Sequence, residues 1–223
     1  MHALITGASS GLGFHIAKEL KMRGYDLILI SRNEEKLKMA AEMLHSSIYY
    51  PIDLSKDYKK VGDIIEEFKP QVVVNNAGFG LYGELENLKW ERIEEMINLN
   101  ILALTYITKK VMEVLYEGYI MNVSSVAACH SQPKLSAYAA TKSYVAIFSR
   151  SLAKEIRGRK KLKISYLLLG PTRTNFFKNA GMPTKGIERI MLSPDKVAKY
   201  AVKKMLRGKR RIVPGVIFKL YCL

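Results

Sequence analysis

Tyr138 and Lys142 stand four residues apart, a spacing that places a phenol and an ammonium on one face of a helix. A phenol ionises only near about pH 10, and an adjacent ammonium favours the anion, bringing it toward the working range. Such a pair suits proton transfer to and from an oxygen, as when a carbonyl and an alcohol interconvert. Ser125 lies 13 positions before Tyr138, just past an apolar run, where its hydroxyl can hold the same oxygen beside the phenol. With 13 tyrosines in a lysine-rich chain, the Tyr/Lys spacing alone arises by chance, so its neighbours must carry the argument.

Thr6-Gly7-Ala8-Ser9-Ser10-Gly11-Leu12-Gly13 follows the first apolar run. Its glycines let backbone approach a pyrophosphate, and the helix that follows presents its positive end. The spacing G-x-x-x-G-x-G differs from the general G-x-G-x-x-G fingerprint. A tight strand-to-helix connection is the plainer reading of such a turn. The strand before it and the amphipathic helix after it favour a dinucleotide held by Gly7, Ser9, Ser10, Gly11, Leu12 and Gly13. At the end of the second strand, where NAD-selective sites carry an acid, stand Ser31 and Arg32. Arg32 would pair with a 2′-phosphate, helped by the hydroxyls of Ser10 or Ser31, so NADP(H) is preferred over NAD(H). Asp26 falls at the beginning of that strand, too early to replace the acid. A solvent-facing arginine is the alternative.

Elements must position these groups. Apolar runs at Ala3–Ile5, Leu27–Ile30, Val72–Val74, Ile120–Val123 and Ile164–Leu169 read as buried parallel strands. Between them come helical patterns such as Leu12, Ile16 and Leu20, then Leu37, Ala41 and Leu44, then Val61, Ile64 and Phe68. The alternation predicts an α/β doubly wound parallel sheet of about seven strands flanked by helices. The longest helical stretches run from about Trp90 to Tyr116 and from about Ala137 to Arg157. From Asn175 to Ser193 the periodicity weakens, which predicts a substrate lid with short helices at about 175–193. No repeat or linker divides the chain, so residues 1–223 are expected to form a single domain.

Hydrophobic residues make up 48% and charged residues 25% of the 223 positions, an ordinary globular balance. No stretch has the length and apolarity of a transmembrane segment, and nothing near Met1 resembles a secretory signal. Cys129 and Cys222 are too few for a disulfide framework and are expected as free thiols in a reducing cytoplasm. The formal charge of +16 invites nucleic acid. Much of it lies in stretches such as Lys203, Lys204, Arg207, Lys209, Arg210 and Arg211, where a solvated basic face is the simpler reading and attraction to an acidic partner or an anionic membrane the alternative.

With these motifs in view, the chain resembles the short-chain dehydrogenase/reductase family from about residue 2 to residue 214. The resemblance implies Asn100, Ser125, Tyr138 and Lys142 as a catalytic tetrad, with Lys142 also holding the nicotinamide ribose and Asn100 fixing a water that relays protons. It implies Asp53 and Leu54 beside the adenine, and Asn76, Ala77 and Gly78 after the Val72–Val74 strand at the centre of the sheet. Asn98 competes with Asn100, which is chosen because Asn-Ile-Leu-Ala resembles the family's Asn-x-x-Gly/Ala segment. Where the family has Pro-Gly this chain has Leu169-Gly170, followed by Pro171-Thr172-Arg173-Thr174, from which Thr172 and Thr174 would contact the nicotinamide. The family also implies a homodimer or homotetramer.

His15, His45 and His130 lack metal-ligand spacing, and no metal is expected. Phe176, Phe177 and Met182 are candidates for an apolar pocket or for plain packing. The apolar tail from Val216 to Leu223 follows a basic run and suits a membrane-surface contact or a subunit interface, of which the interface is preferred. The expectation is an NADP(H)-dependent oxidoreductase acting on a small-molecule carbonyl or alcohol. A 3-oxoacyl group on an acidic carrier is the runner-up substrate, and no nucleic-acid partner is expected. An NADP(H)-sensing or nucleic-acid-binding protein that retains the fold is the alternative.

Overall fold

The computed structural model describes residues 1–46 and 48–223. Seven strands form one parallel sheet in the order β3-β2-β1-β4-β5-β6-β7. They are β1 (His2–Thr6), β2 (Asp26–Ser31), β3 (Ile48–Pro51), β4 (Val72–Asn75), β5 (Glu117–Ser125), β6 (Lys161–Leu169) and β7 (Arg211–Ile212). Among the described residues the α-helices are α1 (Gly11–Lys21), α2 (Glu34–Met43), α3 (Val61–Phe68), α4 (Trp90–Ile97), α5 (Leu104–Val114), α6 (Ser136–Glu155), α7 (Phe176–Ala180), α8 (Pro194–Leu206) and α9 (Val216–Tyr221). This is the doubly wound arrangement the alternation predicts.

The strands are apolar on both faces because each face carries helices. In β1, Ala3 and Ile5 pack with Leu12, Ile16 and Leu20 of α1 and with Val197, Ala201 and Met205 of α8. Leu4 points to the other layer, among Val61 and Ile65 of α3 and Ile107 and Val111 of α5. Successive side chains of a strand thus enter opposite cores. β1 pairs with both β2 and β4, with Ala3 opposite Leu27 on one side and Val72 on the other. The strand order reverses at this point, which opens a crevice at the carboxyl ends of β1 and β4.

Several features depart from the sequence expectations. β3 and β7 carried no apolar signal: Tyr49 and Tyr50 are only half-buried and β7 is two residues long. The helical stretch from Trp90 is interrupted by a π-helical segment, Asn98–Ala103, before α5 begins. Wider turns of this kind admit an extra residue and recur at functional sites. The two cysteines are joined rather than free, Cys129 to Cys222 across 93 residues with Cα atoms 5.3 Å apart. The cause is tertiary. After β7 the chain turns at Gly215, and α9 folds back so that Phe218 lies on Gly170. A β-carbon at Gly170 would stand 2.7 Å from the Phe218 ring, so this approach needs glycine. The pairing also removes the argument for a reducing compartment that rested on free thiols. Among the described residues, no helix is long and apolar enough to cross a membrane.

Candidate active site

A cleft of about 920 Å³ runs along the carboxyl ends of the central strands. Gly7, Ser9, Ser10, Gly11, Leu12, Ser31, Arg32, Asp53, Leu54, Asn76, Ala77, Gly78, Ser125, Tyr138, Lys142, Thr172 and Thr174 all line it. Gly13 and Asn100 stand behind that wall.

The glycine loop owes its shape to close packing. Gly7 adopts φ +66°, and a β-carbon there would meet the Asn76 side-chain nitrogen at 2.8 Å. At Gly13 a β-carbon would lie 2.2 Å from the Gly7 carbonyl oxygen, so this glycine seats α1 against the loop rather than facing the cleft. Thr6 fixes the opposite rim: its hydroxyl accepts from the backbone N–H of Asn76 and of Ala77, both at 3.0 Å. Asn76 returns a side-chain N–H to the Thr6 carbonyl at 3.0 Å. Thr6 escaped the sequence reading because it looks like the last residue of an ordinary strand. The residues present fit a dinucleotide. Backbone of the loop lines the cleft at the start of an 11-residue helix whose first turn holds no acid, so its positive end faces a would-be diphosphate uncompensated.

The outer end is charged. The Ser9 and Ser31 hydroxyls are 2.8 Å apart. Arg32 is neither bare nor aimed only at the cleft: its Nη1 pairs with Glu95 of α4 at 2.8 Å, and Arg92 donates to the same carboxylate. Sixty-three residues separate Arg32 from Glu95, so no local pattern announced the pair. Asp53 accepts from the Ser55 backbone N–H at 3.0 Å and from its hydroxyl at 2.7 Å. Partial burial pushes its carboxyl up, but these bonds and the nearby Arg32 charge outweigh it and hold the pKa below its ordinary value.

At the inner end Tyr138 and Lys142, one turn apart on α6, are both buried. Lys142 Nζ donates to the Val123 carbonyl at 3.0 Å and lies 5.9 Å from the centre of the Tyr138 ring. Burial pushes the phenol up to about 12, with a hydrogen bond to Ser125 acting in the opposite direction. Burial likewise lowers Lys142 to about 8. The expectation that the ammonium draws the phenol toward neutrality is therefore corrected, because burial of both groups dominates. The Ser125 hydroxyl accepts from Ala127 N–H at 3.1 Å. Phe176 of α7 covers the Tyr138 ring at 5.4 Å between centroids.

Of the two competing asparagines, Asn100 is the one at the buried corner. The π-helical segment turns it inward, where it accepts from Phe79 N–H at 3.2 Å and donates to the Phe79 carbonyl at 3.0 Å and to Thr141 at 3.1 Å. Gly78 separates it from the lysine: a β-carbon there would meet Asn100 Oδ1 at 2.8 Å and Lys142 Nζ at 3.2 Å. Thr172 donates to the Gly170 carbonyl at 2.9 Å, and the Thr174 side chain lies against Gly11. The segment beyond them is pinned at its neck, where Arg173 N–H donates to Leu192 at 3.0 Å and Leu192 N–H to Pro171 at 2.8 Å.

Residues 1–184 match the family model described as short chain dehydrogenase. The Schizosaccharomyces pombe protein named uncharacterized oxidoreductase C162.03 is 31% identical over 182 residues, covering 78% of this chain and 61% of its own length. The chain therefore spans less than two thirds of that relative. A short-chain dehydrogenase from Sphingobium yanoikuyae, solved in complex with NADPH, superposes with a TM-score of 0.91 at 28% identity, covering 96% of this chain and 88% of the other. The 3-ketoacyl-(acyl-carrier-protein) reductase of Brucella melitensis, solved with NADH, gives 0.85 at 25% identity and 95% coverage of both chains.

Proposed function

Because the chain belongs to the short-chain dehydrogenase family, we propose that this oxidoreductase uses NADP(H) in preference to NAD(H) to interconvert a carbonyl and an alcohol. One observation carries the reading: Ser125, Tyr138 and Lys142 line the inner end of the same cleft whose outer end presents the glycine loop, Ser31 and Arg32.

The reduced nicotinamide supplies hydride when bound. Ser125 holds the substrate oxygen, and Tyr138 donates its proton to that oxygen as negative charge develops. A phenol at about 12 stays protonated across the physiological range, which suits the reducing direction. Lys142 keeps its charge up to about pH 8 and favours the phenolate left behind, and it would also hold the nicotinamide ribose. Asn100 supports a water-borne path for the replacement proton. Arg32, with Ser9, Ser10 and Ser31 nearby, would take the 2′-phosphate, while Asp53 and Leu54 flank the adenine.

The segment 175–193 acts as the lid in this proposal, since both ends are pinned at its neck and Phe176 reaches the Tyr138 ring. Apolar side chains including Leu135, Phe177, Met182 and Phe218 line the cleft and favour an apolar substituent on the substrate. A 3-oxoacyl group meets that description, as does a simple ketone. Association into a homodimer or homotetramer is part of the proposal, supported by exposed Leu102, Tyr144 and Ile147 on and beside α5 and α6.

Parallel fluorescence titrations with NADPH and NADH, followed by a screen of aldehydes and ketones, test the reading. Tighter NADPH binding and carbonyl-dependent oxidation of the cofactor are expected. Binding of neither nucleotide would overturn the proposal.

A further inference from the structure

Residues 196–223 carry nine lysines and arginines and no acid. Among the described residues none of the nine takes part in an ion pair. Three of them, Lys204, Arg211 and Lys219, adjoin an apolar face. α9 turns Phe218 inward onto Gly170 and is tied down by the Cys129–Cys222 bond, while Val216 (71% exposed), Ile217 (54%) and Leu220 (65%) point outward. Lys204 of α8 and Lys219 of α9 converge on the Tyr200 ring from 5.4 and 5.8 Å, and Arg211 donates to the Cys222 carbonyl, so the cations flank the aliphatic row.

We propose that α9 and the adjoining basic surface of α8 and β7 form a docking face for an anionic lipid surface. The aliphatic row is suited to enter the boundary between headgroups and acyl chains, and the lysines and arginines around it to meet lipid phosphates. A second copy of the chain fits this face poorly, because a two-fold contact would bring like charges together. Nucleic acid accounts for the cations but leaves the exposed aliphatics without a partner. The face also adjoins the cleft, since Ile217 and Tyr221 of the same helix line it, so docking turns the mouth of the cleft toward the lipid. This inference stands apart from the cofactor reading.

Co-sedimentation of the whole protein with vesicles of phosphatidylcholine, with or without phosphatidylserine, tests it. Binding to the anionic vesicles at least about tenfold tighter than to the neutral ones is expected, weakening as salt rises. Val216→Glu combined with Leu220→Glu should lower that binding about tenfold or more, with cofactor affinity unchanged; both residues lie outside the cleft lining. Lys204→Glu with Lys219→Glu should lower it as well. Equal retention on both vesicle types, or retention that survives the glutamate pairs, overturns the proposal. So does a dimer in sedimentation velocity that the Val216/Leu220 pair abolishes, or a short DNA duplex that binds in preference to the vesicles.

Discussion

At the inner end of the cleft Tyr138 and Lys142 are 7% and 5% exposed, whereas at the outer end the Arg32 side chain is 65% exposed and shares Glu95 with Arg92. The inner groups are held by backbone and neighbouring side chains and their proton affinities are moved far by burial. The outer arginines are held by charge at the surface, where such pairings are weak and exchangeable. Changes at the inner end should therefore abolish chemistry while leaving nucleotide binding intact, and changes at the outer end should retune nucleotide choice by modest factors.

The sharpest break comes from Tyr138→Phe, which keeps the ring against Phe176 and removes the proton. A fall in kcat of about a thousandfold is expected, with nucleotide Kd within about twofold of the parent. Steady-state rates and a fluorescence titration check both halves, and full activity would remove Tyr138 from the mechanism.

Lys142→Met comes next and should separate activity from stability. Folding lowers the lysine from its ordinary 10.5 to about 8, so below about pH 8 the folded state bears the burden of a buried charge. Between about 8 and 10.5 the unfolded chain binds more protons, and stability from this group rises with pH. The methionine variant should lose turnover yet gain roughly 1–3 kcal/mol at pH 7, a margin that vanishes above about pH 10.5. Urea unfolding at the two pH values reads this directly. A variant less stable at pH 7 would mean that the bond to Val123 outweighs the desolvation.

Smaller effects belong to the outer end. Arg32→Ala should weaken NADPH about tenfold and leave NADH nearly unchanged. Smallest is Glu95→Gln, which frees Arg32 from its carboxylate partner and removes a negative charge near the 2′-phosphate. NADPH should bind two- to threefold tighter, about the worth of one exposed ion pair, with NADH again the control. Weaker NADPH binding would make Glu95 a support for Arg32 instead of its competitor.

What the sequence revealed follows the same division between local and distant causes. β1, β2, β4, β5 and β6 were legible because strands buried on both faces are predominantly apolar, interrupted only by single polar residues such as Asn122 and Ser165. The Tyr138/Lys142 pair and the glycine loop were legible because each works through neighbours in the chain. β3 was hidden by its half-buried tyrosines, and the π-helical segment by a sequence that reads as continuous helix. Glu95 and the Cys129–Cys222 bond were hidden because their partners lie 63 and 93 residues away. The role of Thr6 was hidden for the same reason, since its partners Asn76 and Ala77 lie 70 and 71 residues away. The pKa directions at Tyr138 and Lys142 could not be read from spacing, since burial of the pair decides them.

The bond between Cys129 and Cys222 closes the chain into a covalent ring that contains α6, β6, the segment 175–193, α8 and β7. A protease that cuts once inside 175–193 therefore opens the ring without producing two molecules. The nicked chain keeps one mass and its two ends stay anchored beside the cleft, and only a thiol reductant divides it into fragments.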